Sequence, residues 1–208
     1  MSNQSGSAPQ PQESAFEAAE AAAVRIGLFY HRMAGIGGVE NYLLWTARGL
    51  RARHHEVTVA CVEAVDALRA HYRDAGFDLA GMDALRGLDV VNVHNSPGWL
   101  DYLHLADAPP ALLSIHEPPR DVYERDMDAH FLRSPINRER RPWTIWWDAM
   151  MRHSARREDQ AAVRGYRRIV TDSDYIAGKV REIYGRGDAT KLPFGLEEGP
   201  LQSDQASL

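Results

Sequence analysis

The sequence predicts an α/β fold, a doubly wound and mostly parallel sheet flanked by helices. Three observations predict it. Short β-branched or apolar runs recur along the chain: VRIGLFYH (24–31), EVTVACVE (56–63), DVVNVHN (89–95), ALLSIHE (111–117), RRIVTDSD (167–174) and a weaker TKLPFGL (190–196). Each is largely continuous rather than alternating, as expected for strands buried on both faces. The intervals between them carry apolar residues at helical spacing, which makes βαβ units.

Taken in order, residues 1–23 are rich in Ser, Gln, Pro and Ala and read as a disordered lead-in with one Ala/Glu-rich helical turn. They lack the positive region and apolar core of a signal peptide. After the first strand, VENYLLWTARGLRAR (39–53) places Tyr42, Leu43, Ala47 and Leu50 on one helical face. AVDALRAHYRDAG (64–76) and WLDYLHLAD (99–107) repeat the pattern after the second and third strands. Residues 118–142 break the rhythm with Pro118, Pro119, Pro135 and Pro142 and many charges. An excursion there leaves the carboxyl end of a strand, where open α/β sheets make ligand contacts. The helix PWTIWWDAMMRHSARREDQAAVRGY returns the chain to the sheet. A core domain over 24–199 and a flexible tail over 200–208 complete the expected organisation.

Bulk properties exclude several functions. The net charge of −5 argues against general nucleic-acid binding, which needs a strong positive excess to displace counterions. The single cysteine, Cys61, excludes an intramolecular disulfide and suits a reducing compartment. No stretch approaches the roughly 18 apolar residues needed to span a bilayer. A cytoplasmic location is the expectation. One local reversal stands out: residues 133–168 hold ten arginines against four acids, and their helix carries Trp143, Trp146, Trp147, Met150 and Met151 at the spacing of one apolar face. Core packing, a partner-domain interface and peripheral contact with the inner membrane face all remain open for it.

The loop AGIGGVE holds Gly35, Gly37 and Gly38 between the first strand and the first helix. A dinucleotide fingerprint needs G-x-G-x-x-G tightly after the strand. Here Glu40 occupies the third glycine position, and Arg32, Met33 and Ala34 intervene. Glu63 near the end of the second run imitates a ribose-binding acid, but a carboxylate at the helix start repels a pyrophosphate. Gly37 and Gly38 allow close backbone approach and open a helix whose free N–H groups attract an anion or a hydroxyl-rich ligand. A plain turn needing positive φ, with Glu40 favouring the helix dipole, is the equal alternative. No His, Cys, Asp or Glu grouping has metal-ligand spacing.

Taken together, the strand, the GGVE loop, the helix YLLWTARGLRAR and the strand HEVTVACV resemble the opening of a glycosyltransferase family 4 enzyme of the two-domain GT-B fold. LDVVNVHN resembles that family's strand ending in histidine, ALLSIHEPP its strand ending in His–Asp, and YRRIVTDSDYIAGKVREIYG its strand–Ser–helix–Tyr-Gly segment. TKLPFGLEEG stands where the family joins its two domains. The resemblance spans about residues 24 to 199. It implies a Rossmann-like, acceptor-side N-terminal half, without the C-terminal domain that binds most of the nucleotide-diphosphate sugar. It further implies retaining transfer in the cleft between the domains, with no obligatory metal and no cofactor beyond that donor.

By the same resemblance His116 lies beside the transferred sugar and is the catalytic candidate, followed here by Glu117 where the family has Asp. Gly37, Gly38, Glu40, His94, Asn95, Glu117 and Ser173 are the candidate acceptor- or donor-binding residues. From position alone, His94 and His116 equally suit structural hydrogen bonds at strand ends. Ser173 equally suits a helix N-cap, with Asp172 and Asp174 in similar capping work. The implied partners are a separate C-terminal donor domain, or a second copy of the chain, and a small-molecule or glycan acceptor. The alternative from another class is a non-catalytic glycan-binding or regulatory module derived from such a domain.

Overall fold

The computed structural model describes residues 22–95, 97–123 and 142–192, without the side chains of 120–121 and 142–149. The lead-in, most of the 118–142 excursion, the side chains of the basic helix's three tryptophans and the C-terminal tail lie outside what is described. Nine strands are found among them: β1 (Arg25–Tyr30), β2 (Arg32–Met33), β3 (Glu56–Ala60), β4 (Glu63–Ala64), β5 (Leu79–Ala80), β6 (Val90–His94), β7 (Ala111–Ile115), β8 (Arg168–Thr171) and β9 (Thr190–Lys191). The helices are α1 (Gly38–Ala52), α2 (Asp66–Asp74), α3 (Gly98–Leu103), α4 (Arg120–Tyr123), α5 (Pro142–Gly165) and α6 (Asp174–Tyr184).

Seven strands form one sheet in the order β5-β3-β1-β6-β7-β8-β9, and every neighbouring pair is parallel. The chain winds outward from β1 in one direction, then returns beside β1 as β6 and winds the other way. That is the Rossmann order, with its switch point between β1 and β6. Register fixes what meets there, since Tyr30 stands opposite His94. The continuous apolar runs follow from this position: Leu28, Phe29, Val91, Val93, Leu113 and Ile115 are all buried.

Alternate residues of each strand feed two separate cores. Leu28 and Val59 pack with Leu43, Leu44 and Ala47 of α1 and Leu68 and Tyr72 of α2. Phe29, Val91, Val93 and Ile115 pack on the other face with Trp99 and Tyr102 of α3, Val163 of α5 and Ile176 and Val180 of α6. Gly27 in β1 is a close approach: a Cβ there would sit 2.8 Å from Leu85 and 3.0 Å from Val91.

Two of the three residues between strand and glycines are not free loop. Arg32–Met33 pair with Glu63–Ala64 in a small second sheet, and Met33 is fully buried. Glu63, the ribose-acid imitator, is exposed and ion-paired with Arg32 at 3.3 Å. The apolar runs also overshoot their strands. Cys61, Asn95, His116 and Asp172 lie just past the carboxyl ends, where the loops turn away.

Among the described residues no helix is long and apolar enough to cross a membrane. The exposed part of the basic helix includes Met150 and Met151.

Candidate functional site

Three strand ends and one helix converge at the carboxyl edge of the sheet. His94 ends β6, His116 follows β7 by one residue, and Asp172 follows β8 by one residue. Parallel register and strand alternation put all three on the α1 face. There Tyr42 of α1 sets the edge of its ring against both imidazoles, 5.8 Å from His94 and 5.2 Å from His116. The two imidazoles stack with centroids 5.2 Å apart and planes 15° from parallel.

His94 Nδ1 and His116 Nε2 are 2.9 Å apart, so one hydrogen is shared between them. His116 Nδ1 lies 3.7 Å from Asp172 Oδ2, inside ion-pair range but beyond hydrogen-bond length. Burial depresses the His94 pKa well below 6.5, with the neighbouring His116 adding to it. Burial also lowers that of His116, against an opposing pull from Asp172. Both rings are therefore neutral at neutral pH and carry one N–H each. A proton on His116 Nδ1 faces the carboxylate, whereas a lone pair there would oppose it. That choice makes His94 Nδ1–H the donor to His116 Nε2 and leaves His94 Nε2 bare. His94 Nε2 is buried and has no partner among the described residues.

Asn95 locks the two strand ends together. Its φ of 50° is the left-handed region that Asn tolerates better than most residues. Its Oδ1 accepts from the backbone N–H of His116 at 2.9 Å and of Glu117 at 3.4 Å. Asn95 thus holds the His116 backbone in place, a function its position in the sequence did not disclose.

Ser173 is a helix cap. Its Oγ accepts from the Ile176 N–H at 3.3 Å and opens α6. Replacing Ser173 by alanine is expected to cost about 1 kcal/mol, read as a shifted urea midpoint; an unchanged midpoint would remove the cap from the account. Asp174 pairs with Lys191 at 2.8 Å, tying α6 to β9.

The glycine loop does not need positive φ, so that expectation is corrected. Among the described residues the glycines in that region of backbone space are Gly76, Gly87 and Gly185. Gly37, the N-cap of α1, has φ −120° and ψ −171°, which any residue adopts. Its lack of a side chain serves space instead: a Cβ there would meet the Glu40 carboxylate at 2.7 Å. Gly35 and Gly38 have nothing within 4 Å of an added Cβ. The Glu40 carbonyl in turn accepts from the buried Tyr72 hydroxyl at 2.6 Å.

Beside Glu117 a cavity of about 570 Å³ opens between α5 and α6, walled by Tyr123, Arg156, Tyr175, Lys179 and Ile183. That volume lies within the range of small-ligand pockets, about 300–1,000 Å³. Among the described residues no group of three or more His, Cys, Asp or Glu side chains is arranged to hold a metal ion.

A parallel sheet in Rossmann order, with polar groups gathered at its switch-point edge, defines a Rossmann-like α/β domain. The model of the family described as Glycosyltransferase Family 4 matches residues 36–195. This chain belongs to glycosyltransferase family 4. Among solved structures it is similar to a glycosyltransferase from Rickettsia africae ESF-5, with 13% identity and a TM-score of 0.49. The similarity covers 84% of this chain and 44% of that one, so the chain spans less than half of that protein's length. No curated protein matches the chain.

Proposed function

We propose that the chain is the acceptor-side, N-terminal half of a retaining glycosyltransferase, working with a separate donor-binding domain. The observation that carries this reading is the convergence of His94, His116 and Asp172 from three strand ends under Tyr42, in a chain of this family. Gly37 and Gly38 open α1 at the same edge and suit the approach of a phosphate or hydroxyl, with Glu40 folded back against the cap. His116 stands nearest the transferred sugar, with His94 against its ring and the Asn95 side chain holding its backbone, and the cavity beside Glu117 offers room for an acceptor. Ser173 contributes by capping α6 behind Asp172.

The need for a partner draws support from exposed apolar side chains at the sheet's carboxyl edge. Ile36, Val62 and Val65 stand exposed on the loops that leave β1–β2 and β3–β4. Exposed apolar groups beside a polar site suit a docking domain that closes over it. One observation favours the second reading, a non-catalytic glycan-binding module: His116 turns both ring nitrogens toward protein groups, His94 and Asp172.

Co-expression with candidate donor domains separates the readings. The expected result is a stable complex that transfers or hydrolyses UDP- or GDP-sugars, with negligible turnover by the chain alone. Robust turnover by the purified chain would remove the need for a partner. A complex that binds glycans but turns over no nucleotide sugar would favour the non-catalytic module.

A further inference from the structure

The cavity of about 570 Å³ between α5 and α6 is lined by an arginine that the fold grips at one nitrogen and leaves open at the other two. Arg156 is half-buried. Its Nε donates to the Val122 carbonyl at 2.7 Å, and its guanidinium carbon lies 5.8 Å from the centre of the Tyr123 ring. Tyr123 is itself anchored, because its hydroxyl donates to the buried Asp159 carboxylate at 2.8 Å. The two terminal nitrogens of Arg156 have no hydrogen-bond partner among the described residues. Other arginines differ: Arg25, Arg32 and Arg186 each meet a carboxylate, on Asp89, Glu63 and Asp188. A guanidinium held at Nε loses little side-chain freedom when a ligand arrives. Its Nη pair matches the two oxygens of a carboxylate or phosphate.

The rest of the wall suits a sugar that carries such an anion. Lys179 lines the same cavity from α6 and adds a second cation. Its Nζ meets Glu182 at 3.4 Å in an exposed pair, which binds it only weakly. Glu117 and Glu182 stand on the same wall and accept from hydroxyl groups. Gln160 donates through Nε2 to the Ile183 carbonyl at 3.0 Å, which leaves its Oε1 to accept from a further hydroxyl. Tyr175 is 70% exposed and lines the cavity, with the Lys179 ammonium 6.0 Å from its ring centre. One exposed tyrosine is ordinary. Here its ring shares a cavity with two cations, and the apolar CH face of a pyranose packs on such a ring.

We propose that this cavity binds an anionic saccharide, a sugar bearing a phosphate or carboxylate group. Arg156 and Lys179 hold the anion, Gln160 accepts from a hydroxyl, and Tyr175 lies against the ring. This assignment deepens the acceptor-side reading above, giving the acceptor a negative charge, and rests on it. A sugar held there lies beside Glu117, the next residue in the chain to His116. No bond is made or broken in the cavity, so these four side chains bind and orient.

Titration of the full chain, followed by ¹H–¹⁵N spectra, tests it with glucose 6-phosphate, glucuronic acid, glucose and inorganic phosphate at millimolar concentration. One or both charged sugars should move the Arg156 Nε–H and the Tyr175 and Lys179 amides, and the tighter of the two identifies the anion. Glucose should leave those signals in place. Inorganic phosphate should bind more weakly than the charged sugar, since it does not engage Tyr175 or Gln160. Arg156→Lys keeps the charge and removes the fork, and Lys179→Gln removes an exposed charge. Each should weaken the charged sugar about 10-fold or more. Tyr175→Ala should weaken the sugar and leave inorganic phosphate unchanged. Urea midpoints check folding, and Lys179→Gln decides alone where Arg156→Lys unfolds the chain. No shift with either charged sugar, equal binding of glucose or inorganic phosphate, or wild-type affinity in Lys179→Gln would overturn the proposal. Binding is read without a donor domain, which separates the two readings. A complex that transfers only to neutral acceptors keeps the transferase and removes the anion site. Charged-sugar binding by a chain inactive in every complex keeps the site and removes its acceptor role.

Discussion

Replacing Trp99 by alanine is expected to destabilise the chain by about 5 kcal/mol, close to the whole stability of a small domain. Trp99 is fully buried in the core on the α3 face. Emptying a site of that size costs about 3–5 kcal/mol in lost transfer energy and cavity. A second cost arises because the indole also donates. Its Nε1–H bonds Asp159 Oδ1 at 2.8 Å, and Asp159 is 2% exposed. The Tyr123 hydroxyl donates to the other carboxylate oxygen at 2.8 Å. A buried carboxylate is tolerable only while such donors replace its water. Losing the indole N–H leaves part of that demand unmet, adding about 1–3 kcal/mol before relaxation.

The network also explains why one tryptophan matters to so much of the fold. Trp99 lies on α3, Tyr123 on α4 and Asp159 on α5, so the carboxylate joins three helices that cover one face of the sheet. The Tyr166 hydroxyl donates to the Trp99 carbonyl at 3.0 Å, extending the tie to the turn before β8. Trp99→Phe separates the two costs, since it keeps most of the packing and removes only the donor. It should fall about 1–3 kcal/mol below wild type, with Trp99→Ala well below that. Urea unfolding followed by far-UV circular dichroism reads both; a Trp99→Ala midpoint within 1 kcal/mol of wild type would sink the account.

What was legible in the sequence follows from what each feature leaves on neighbouring residues. Buried parallel strands require continuous apolar runs, so the main strands could be read from DVVNVHN and ALLSIHE. Their ends could not, because the apolar run continues past the last strand residue, as at Cys61 beyond β3. The bridge between Arg32–Met33 and Glu63–Ala64 is two residues long and carries no periodicity. The candidate site was legible at His94 and His116 because both stand at strand ends on the carboxyl edge and the family resemblance marked them.

Its remaining members were hidden for a different reason. Tyr42 satisfied the apolar pattern of α1, yet its ring faces two histidines. Ser173 and Asp172 both suited capping in the sequence; Ser173 caps α6, and Asp172 lies within ion-pair range of His116.

Mild acid is expected to weaken the fold through His94. Its pKa is held well below 6.5 in the folded chain, chiefly by burial, and returns to about 6.5 on unfolding. Between those two values the unfolded chain binds the extra proton. Stability is therefore full above about pH 6.5 and is lost as the pH falls toward the folded value. The slope contributed by one such group reaches about 1.4 kcal/mol per pH unit. His116 adds in the same direction but less, because Asp172 opposes its depression. The exposed carboxylates that ion pairs hold low, Asp89 with Arg25 and Asp188 with Arg186, act below the ordinary carboxylate range and leave this window clear. His94→Asn keeps a donor toward His116 without a titrating ring. It should start less stable at pH 7.5 and show a slope between pH 6.5 and 5 shallower by about one proton. Urea midpoints across that range decide the matter, and parallel slopes for the two proteins would remove His94 as the cause. The same neutrality bears on chemistry. On the proposed transferase reading, the His94–His116 pair would present two uncharged dipoles to a sugar at neutral pH, and any charge developing there would be carried by other groups.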